Sequence, residues 1–273
     1  MRDRPGGTRA IAAGAAGLIV LALLATVGPA LVAGDPLAVD LPGRLQPPGH
    51  VHLLGQDALG RDVLARLVAG ARVSLGVGAL VVALSLAVGV TLGAAAGAAG
   101  GVVDELLGRV IDVLLAFPGL LLAIALAAVL GPGVGHAVLA LSVLGWTGYA
   151  RLARAQVRAL RGREFAQAAE ALGAGPVRVV LRHLLPLAAP TLLVQATFGL
   201  SGAILAEASL SFLGLGTPPP LPSWGTMLDE GRPFLLVAPH LTVYPGLALA
   251  LTVLAIQLLG DGLRDRLDVR DER

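Results

Sequence analysis

A wholly helical protein that crosses a membrane several times is what this chain predicts, and three observations carry that expectation. Its 273 residues are 56% hydrophobic and 14% charged. Their mean hydropathy of +0.82 means more apolar surface than one soluble core can hide. Counting Asp, Glu, Lys and Arg as charged, five uncharged runs occur: Ala10–Gly34, Val73–Val103, Val113–Ala150, Leu184–Ala206 and Pro233–Gly260. Each reaches the ~20 residues that a helix needs to traverse ~30 Å of hydrocarbon.

The first run follows Arg2, Arg4 and Arg9 and is 25 residues long. A secretory signal has an apolar region of only ~7–15 residues, so a retained first helix is expected, within a segment 1–35. Residues 36–72 then form an extracytoplasmic loop with an amphipathic segment. In the second run Gly89, Gly93, Gly97 and Gly101 recur every fourth residue, one step after Ser85. That spacing reads as a stripe for close helix approach, the plain alternative being chance in a chain with 37 glycines. The third run, 38 residues, holds the breaker GPGVG (131–135) and supplies two spans, which makes six. Pro118 and Pro190 free carbonyls and permit kinks. The interval Ala208–Leu228 carries Pro218, Pro219, Pro220 and Pro222 and reads as a structured loop. Residues 73–260 are thus a core of five helices including a cytoplasmic loop 151–183, and 261–273 a cytoplasmic tail.

All twenty basic residues are Arg. With the N-terminus in the cytoplasm, fifteen lie inside and five outside, the latter being Arg44, Arg61, Arg66, Arg72 and Arg232. The positive-inside tendency therefore places both termini in the cytoplasm.

Chemistry is sparse. A P-loop requires a Lys, and the chain has none, so ATP hydrolysis by that route is excluded. Zero Cys excludes disulfides, thiolate metal sites and cysteine nucleophiles. His50 and His52 lack a third ligand at suitable spacing, so no metal is expected, and neither is a cofactor or nucleic acid. His136 and His240 near span ends read as interfacial or hydrogen-bonded. Glu207, at the outer end of the fifth span, is an anchor for the backbone N–H groups of the following loop or part of a solute path.

The middle of the chain breaks the apolar pattern. Arg151, Arg154, Arg158 and Arg161 share one helical face, so the fourth span continues as a basic helix. Glu164–Leu172 follows, rich in helix formers, with Phe165, Ala168, Ala169 and Leu172 as a narrow apolar stripe. Gly173 suits a C-terminal cap, and Gly175-Pro176 stops one helix and starts the next. A short, small-sided helix outside the bilayer either enters a partner's cleft or lies on anionic lipid.

This stretch resembles the cytoplasmic coupling motif of ABC-importer permeases, E-A-A-x-x-x-G, then nine residues, then I-x-L-P. Ala168, Ala169, Gly173, Leu185 and Pro186 match, whereas Gln167 replaces the Glu and His183 the Ile. The segments 53–78, 100–133, 203–228 and 258–268 also resemble permeases of dipeptide, oligopeptide and nickel importers, in particular the paired subunit with the shorter outer loop and a G-R-D segment. The resemblance implies a type I ABC-importer permease fold in a bacterial-type cytoplasmic membrane. It implies as partners a second permease, two ATP-binding subunits that hydrolyse ATP, and an extracytoplasmic solute-binding protein. It also assigns ATPase coupling to Glu164, Phe165, Gln167, Ala168, Ala169, Glu170, Leu172, Gly173, Ala174, Pro176 and Pro186. Peptides are the expected solute, with nickel or glutathione-type solutes as alternatives. A secondary carrier and a membrane scaffold are the rivals from other classes.

Overall fold

The computed structural model describes residues 5–32 and 34–268, and every regular element among them is a helix. Helix α1 (Pro5–Thr26) and the single turn α2 (Gly28–Leu31) lead into an irregular segment that ends at Asp62. Helices α3 (Val63–Ala99), α4 (Gly101–Leu115), α5 (Gly119–Leu130) and α6 (Val134–Arg161) follow. Next come α7 (Glu164–Ala171), α8 (Pro176–Val179), α9 (Leu185–Phe212), α10 (Trp224–Gly231) and α11 (His240–Asp268). Arg2, Arg4, Arg270 and Arg273 lie outside the described residues, as does the end of the expected tail.

Backbone contact builds the bundle. Helices α3 and α6 run parallel, and a Cβ on Gly89 would stand 2.5 Å from the Trp146 carbonyl oxygen, one on Gly97 2.8 Å from that of Arg154. At Gly93 it would collide with the backbone of Ala150. Without a hydrophobic drive between helices in lipid, such close approach supplies the dispersion contacts that hold them. Gly101 lies outside this seam: α3 has ended at Ala99, Gly101 turns with φ +54°, and its missing side chain would meet nothing within 4 Å. Gly14 and Gly17 admit α11 to α1 in the same manner, at Leu259 and Ala255. Ile204, Trp224, Met227, Leu241 and Ile256 form a core that joins α9, α10 and α11.

Three stretches, Val63–Ala99, Pro176–Phe212 and His240–Leu267, are each long and apolar enough to cross a membrane, and α4 with α5 makes a fourth across an 81° bend. Helix α1 has a shorter apolar part, Ile11–Thr26. Helix α6 has its uncharged residues before Arg151. Six spans are consistent with this set.

Boundaries differ from expectation where charge is neutralised or a proline intervenes. Helix α3 begins ten residues before its uncharged run, inside the expected loop, because Asp62 caps it, accepting the Ala65 N–H at 2.8 Å, and Arg66 is paired. The expected span from 113 is α5, with α4 before it, because Pro118 separates the two. The structured loop is shorter than 208–228: α9 persists to Phe212, and Ser223 caps α10 in a reciprocal pair with Thr226. Helix α11 starts at His240 rather than 233 and continues past 260.

Candidate functional site

At the Arg-rich end of the bundle, α7 stands across the tips of α3, α6 and α9. Its terminus is a Schellman motif: Gly173, at φ +88°, donates to the Glu170 carbonyl at 2.9 Å, and the Ala174 N–H reaches that of Ala169 at 3.0 Å. The inward face is Ala166, fully buried, with Ala169 and Ala174 partly so, against Ala94, Val157, Val179 and Leu184. Small side chains there let the short helix seat closely on its own bundle. Of the expected stripe, Phe165, Ala168 and Leu172 share the outer face, Phe165 and Leu172 being 41% and 91% exposed, whereas Ala169 turns inward. Glu164, Gln167, Glu170 and Pro176 are exposed too. Gln167 Nε2 reaches the Gly162 carbonyl at 3.4 Å, and Arg161 Nε lies 3.8 Å from Glu170 Oε1.

The chain leaves α7 through α8 and a π-helical turn, Val180–Leu184, directly into α9. Pro186 explains the turn. It has no N–H for the carbonyl four residues back, and the Leu185 N–H bonds to Val180 five residues back. Pro186 is exposed in a helix that runs on through it.

Charged contacts bind α4 to α6 beside this end. Asp104 accepts from Arg154 Nε at 2.5 Å and Nη2 at 2.9 Å, and from Arg158 Nη1 at 2.9 Å. Gly108 leaves room for the Arg154 guanidinium, which would be 2.9 Å from a Cβ there.

The opposite end holds a cluster that the sequence reading missed. Asp57 Oδ1 accepts the N–H groups of Leu59 and Arg61, at 2.8 and 2.9 Å, and its Oδ2 accepts Arg61 Nε at 2.6 Å and Arg66 Nη1. Glu230 Oε2, on α10, accepts Arg61 Nη2 at 2.8 Å and lies 2.7 Å from Arg66 Nη1. Burial on its own raises the Asp57 carboxyl, but the Arg61 hydrogen bonds and the Arg66 charge outweigh it and hold the group below its usual range. Two Arg counted only for their sign thus join the loop, α3 and α10. Opposite charges four and nine residues apart were the available signal.

Glu207 is buried, accepts from Ser211 Oγ at 2.7 Å, and Ser211 in turn receives the Thr217 N–H at 3.1 Å. It thus touches the following loop through a serine. His52 Nδ1 lies 2.7 Å from Asp62 Oδ2, His136 Nδ1 3.1 Å from the Gly131 oxygen, and His240 Nε2 3.5 Å from that of Gln56. No group of three or more metal-ligating side chains occurs among the described residues.

Several membrane-crossing stretches, a bend at Pro118 and a small helix fastened across one end suit a membrane permease. Residues 89–271 match the binding-protein-dependent transport system inner membrane component family, and the chain belongs to it. It is 44% identical over 253 residues, 93% of this chain and 85% of the relative, to a protein of Brucella suis biovar 1 named as a peptide transport system permease. The glutathione transport system permease proteins GsiD of Shigella dysenteriae serotype 1 and Shigella flexneri serotype 5b are 46% and 48% identical over 221 residues, 81% of this chain and 73% of each relative. The chain is an ABC-importer permease subunit.

Proposed function

We propose that this subunit moves peptides across the cytoplasmic membrane, driven by ATP hydrolysed on two partner subunits, and that α7 is its coupling helix. A second permease completes the path, and an extracytoplasmic solute-binding protein delivers the solute. Both termini and 151–183 face the cytoplasm in this reading, 36–72 the exterior. The observation that carries it is the outer face of α7: Phe165, Ala168 and Leu172 stand in solvent while Ala166 is buried beneath them. An apolar face on a helix that is itself locked by a cap and a buried alanine suits a rigid body that enters a cleft. Closure of the ATPase pair on nucleotide then displaces α7, and with it α6 and α9, between two states of the bundle. Glutathione is itself a peptide, and the relatives named for it support it as a second solute.

Leu172→Glu is the direct test. Leu172 is 91% exposed, so the charge leaves the isolated subunit intact. Co-purification with the ATPase subunits and ATP-driven uptake should both fall at least tenfold. Normal uptake by Leu172→Glu sinks the assignment of α7.

A further inference from the structure

Along one side of α9, Gln195, Gly199, Gly202 and Ala206 follow each other at helical spacing and border a groove of about 320 Å³. Leu114 and Leu115 of α4, Phe117, residues of α5, and Gly145, Gly148 and Tyr149 of α6 close it, and every lining residue is uncharged. Three polar groups sit there without partners. Gln195 is exposed in the middle of a span, and no hydrogen bond to its amide occurs among the described residues. Ser85 Oγ and Tyr149 Oη are buried and unpaired in the floor, lodged against Gly145 and Gly199, whose missing side chains make room for them.

Hydrocarbon does not tolerate this arrangement. An amide facing lipid loses its water hydrogen bonds without replacement, and each buried orphan hydroxyl carries a similar penalty. The Gln195 amide is paired if the groove meets an aqueous path, and the two hydroxyls are paired once the wall opens to that path. Its volume lies at the low end of small-molecule sites, ~300–1,000 Å³.

We propose that this groove is the solute-contacting wall of the path in this subunit, and that Gln195, Tyr149 and Ser85 hydrogen-bond the main-chain amides of a short peptide. The inference rests on the importer reading above and deepens it. Hydroxyls and a carboxamide each donate and accept, so they match both the C=O and the N–H of a peptide bond. Glycines beside them leave space for varied side chains, and the uncharged lining does not sort solutes by charge. Metal cations find no ligand set here.

The test uses the full assembly in proteoliposomes, with dialanine and glutathione as probes. Gly202 is the informative position, because a Cβ there would meet nothing within 4 Å and the subunit itself need not shift. In the series Gly202→Ala, Gly202→Val, Gly202→Phe, uptake should fall stepwise, glutathione before dialanine, at constant assembly yield. Tyr149→Phe should slow uptake about fivefold, the equivalent of one hydrogen bond. The chain has no Cys, so Gln195→Cys is the single thiol of this subunit and its labelling is read on this subunit's band; a charged, membrane-impermeant thiol reagent should reach it, and dialanine should slow the labelling. Three outcomes overturn the proposal. Reaction only with a lipophilic reagent places the groove against lipid. Falling assembly yield through the Gly202 series makes it a permease–permease contact. Normal uptake of both probes by Gly202→Phe removes the groove from the path while the importer reading stands. If the wild-type assembly imports neither probe under ATP, that reading fails and the groove assignment fails with it.

Discussion

At the scale of single residues, absent side chains matter as much as present ones. A Cβ on Gly93 would enter the Ala150 backbone, whereas one on Gly76, in the same helix, meets nothing within 4 Å. Gly93→Leu should therefore part α3 from α6 and abolish the yield of folded, detergent-extracted subunit. Gly76→Leu should leave yield unchanged or slightly higher, since Leu is the better helix former. Charge is the other determinant at this scale. Asp57→Asn leaves buried Arg66 with Glu230 alone, and breaking a buried pair from one side costs about 3–5 kcal/mol. The native carboxyl is held below 3.8, so its contribution is complete above that pH and is lost only as pH falls through the lowered value. Thermal melts should show a constant gap between wild type and Asp57→Asn from neutrality down to about pH 4. Below that the gap should close; a gap that narrows already between pH 7 and 5 refutes the assignment.

Among elements, the uncharged runs and the Gly-Pro breakers located helices but not all of their ends. Ends depend on partners distant in sequence: Arg66 enters α3 because Asp57 and Glu230 neutralise it, which an uncharged-run criterion cannot register. The stripe on α7 was legible as residue types and not as a direction, since a helix with alanines on several sides reveals its buried face only when the bundle beneath is known. Gln195 and Tyr149 went unweighted because an uncharged polar residue does not interrupt a hydrophobic run. The clamp of Asp104 by Arg154 and Arg158 belongs here too, as it fixes α4 to the helix that leads into α7. Asp104→Asn should raise amide hydrogen exchange in α4 and weaken the coupling of ATP hydrolysis to uptake. Gly108→Val, which displaces the Arg154 guanidinium without touching a charge, should reproduce both effects in milder form. Unaltered exchange in both variants rules the clamp out.

For the whole molecule the membrane supplies what the fold alone does not. Leu121, Val129, Leu187 and Leu193 are all more than half exposed, on helices whose other faces are buried, and such surface is stable against lipid or an apolar partner. The bundle has two chemically different ends. One carries Arg151 to Arg182 around α7, the other the neutralised cluster of Asp57, Arg61, Arg66 and Glu230, whose charges cancel pairwise. The bias against translocation counts Arg and largely ignores neighbouring Asp and Glu, so the end with the seven Arg of 151–182 is the one we propose to stay in the cytoplasm. Single cysteines introduced at Val51, 86% exposed, and at Leu172, 91% exposed, probe this without disturbing the interior. In intact cells an impermeant maleimide should label Val51→Cys and spare Leu172→Cys, and inverted vesicles should give the opposite pattern. Labelling of both from one side would place α7 and the acidic-basic cluster in the same compartment, and a helix there could not carry force from cytoplasmic ATPases through the bilayer to the far end.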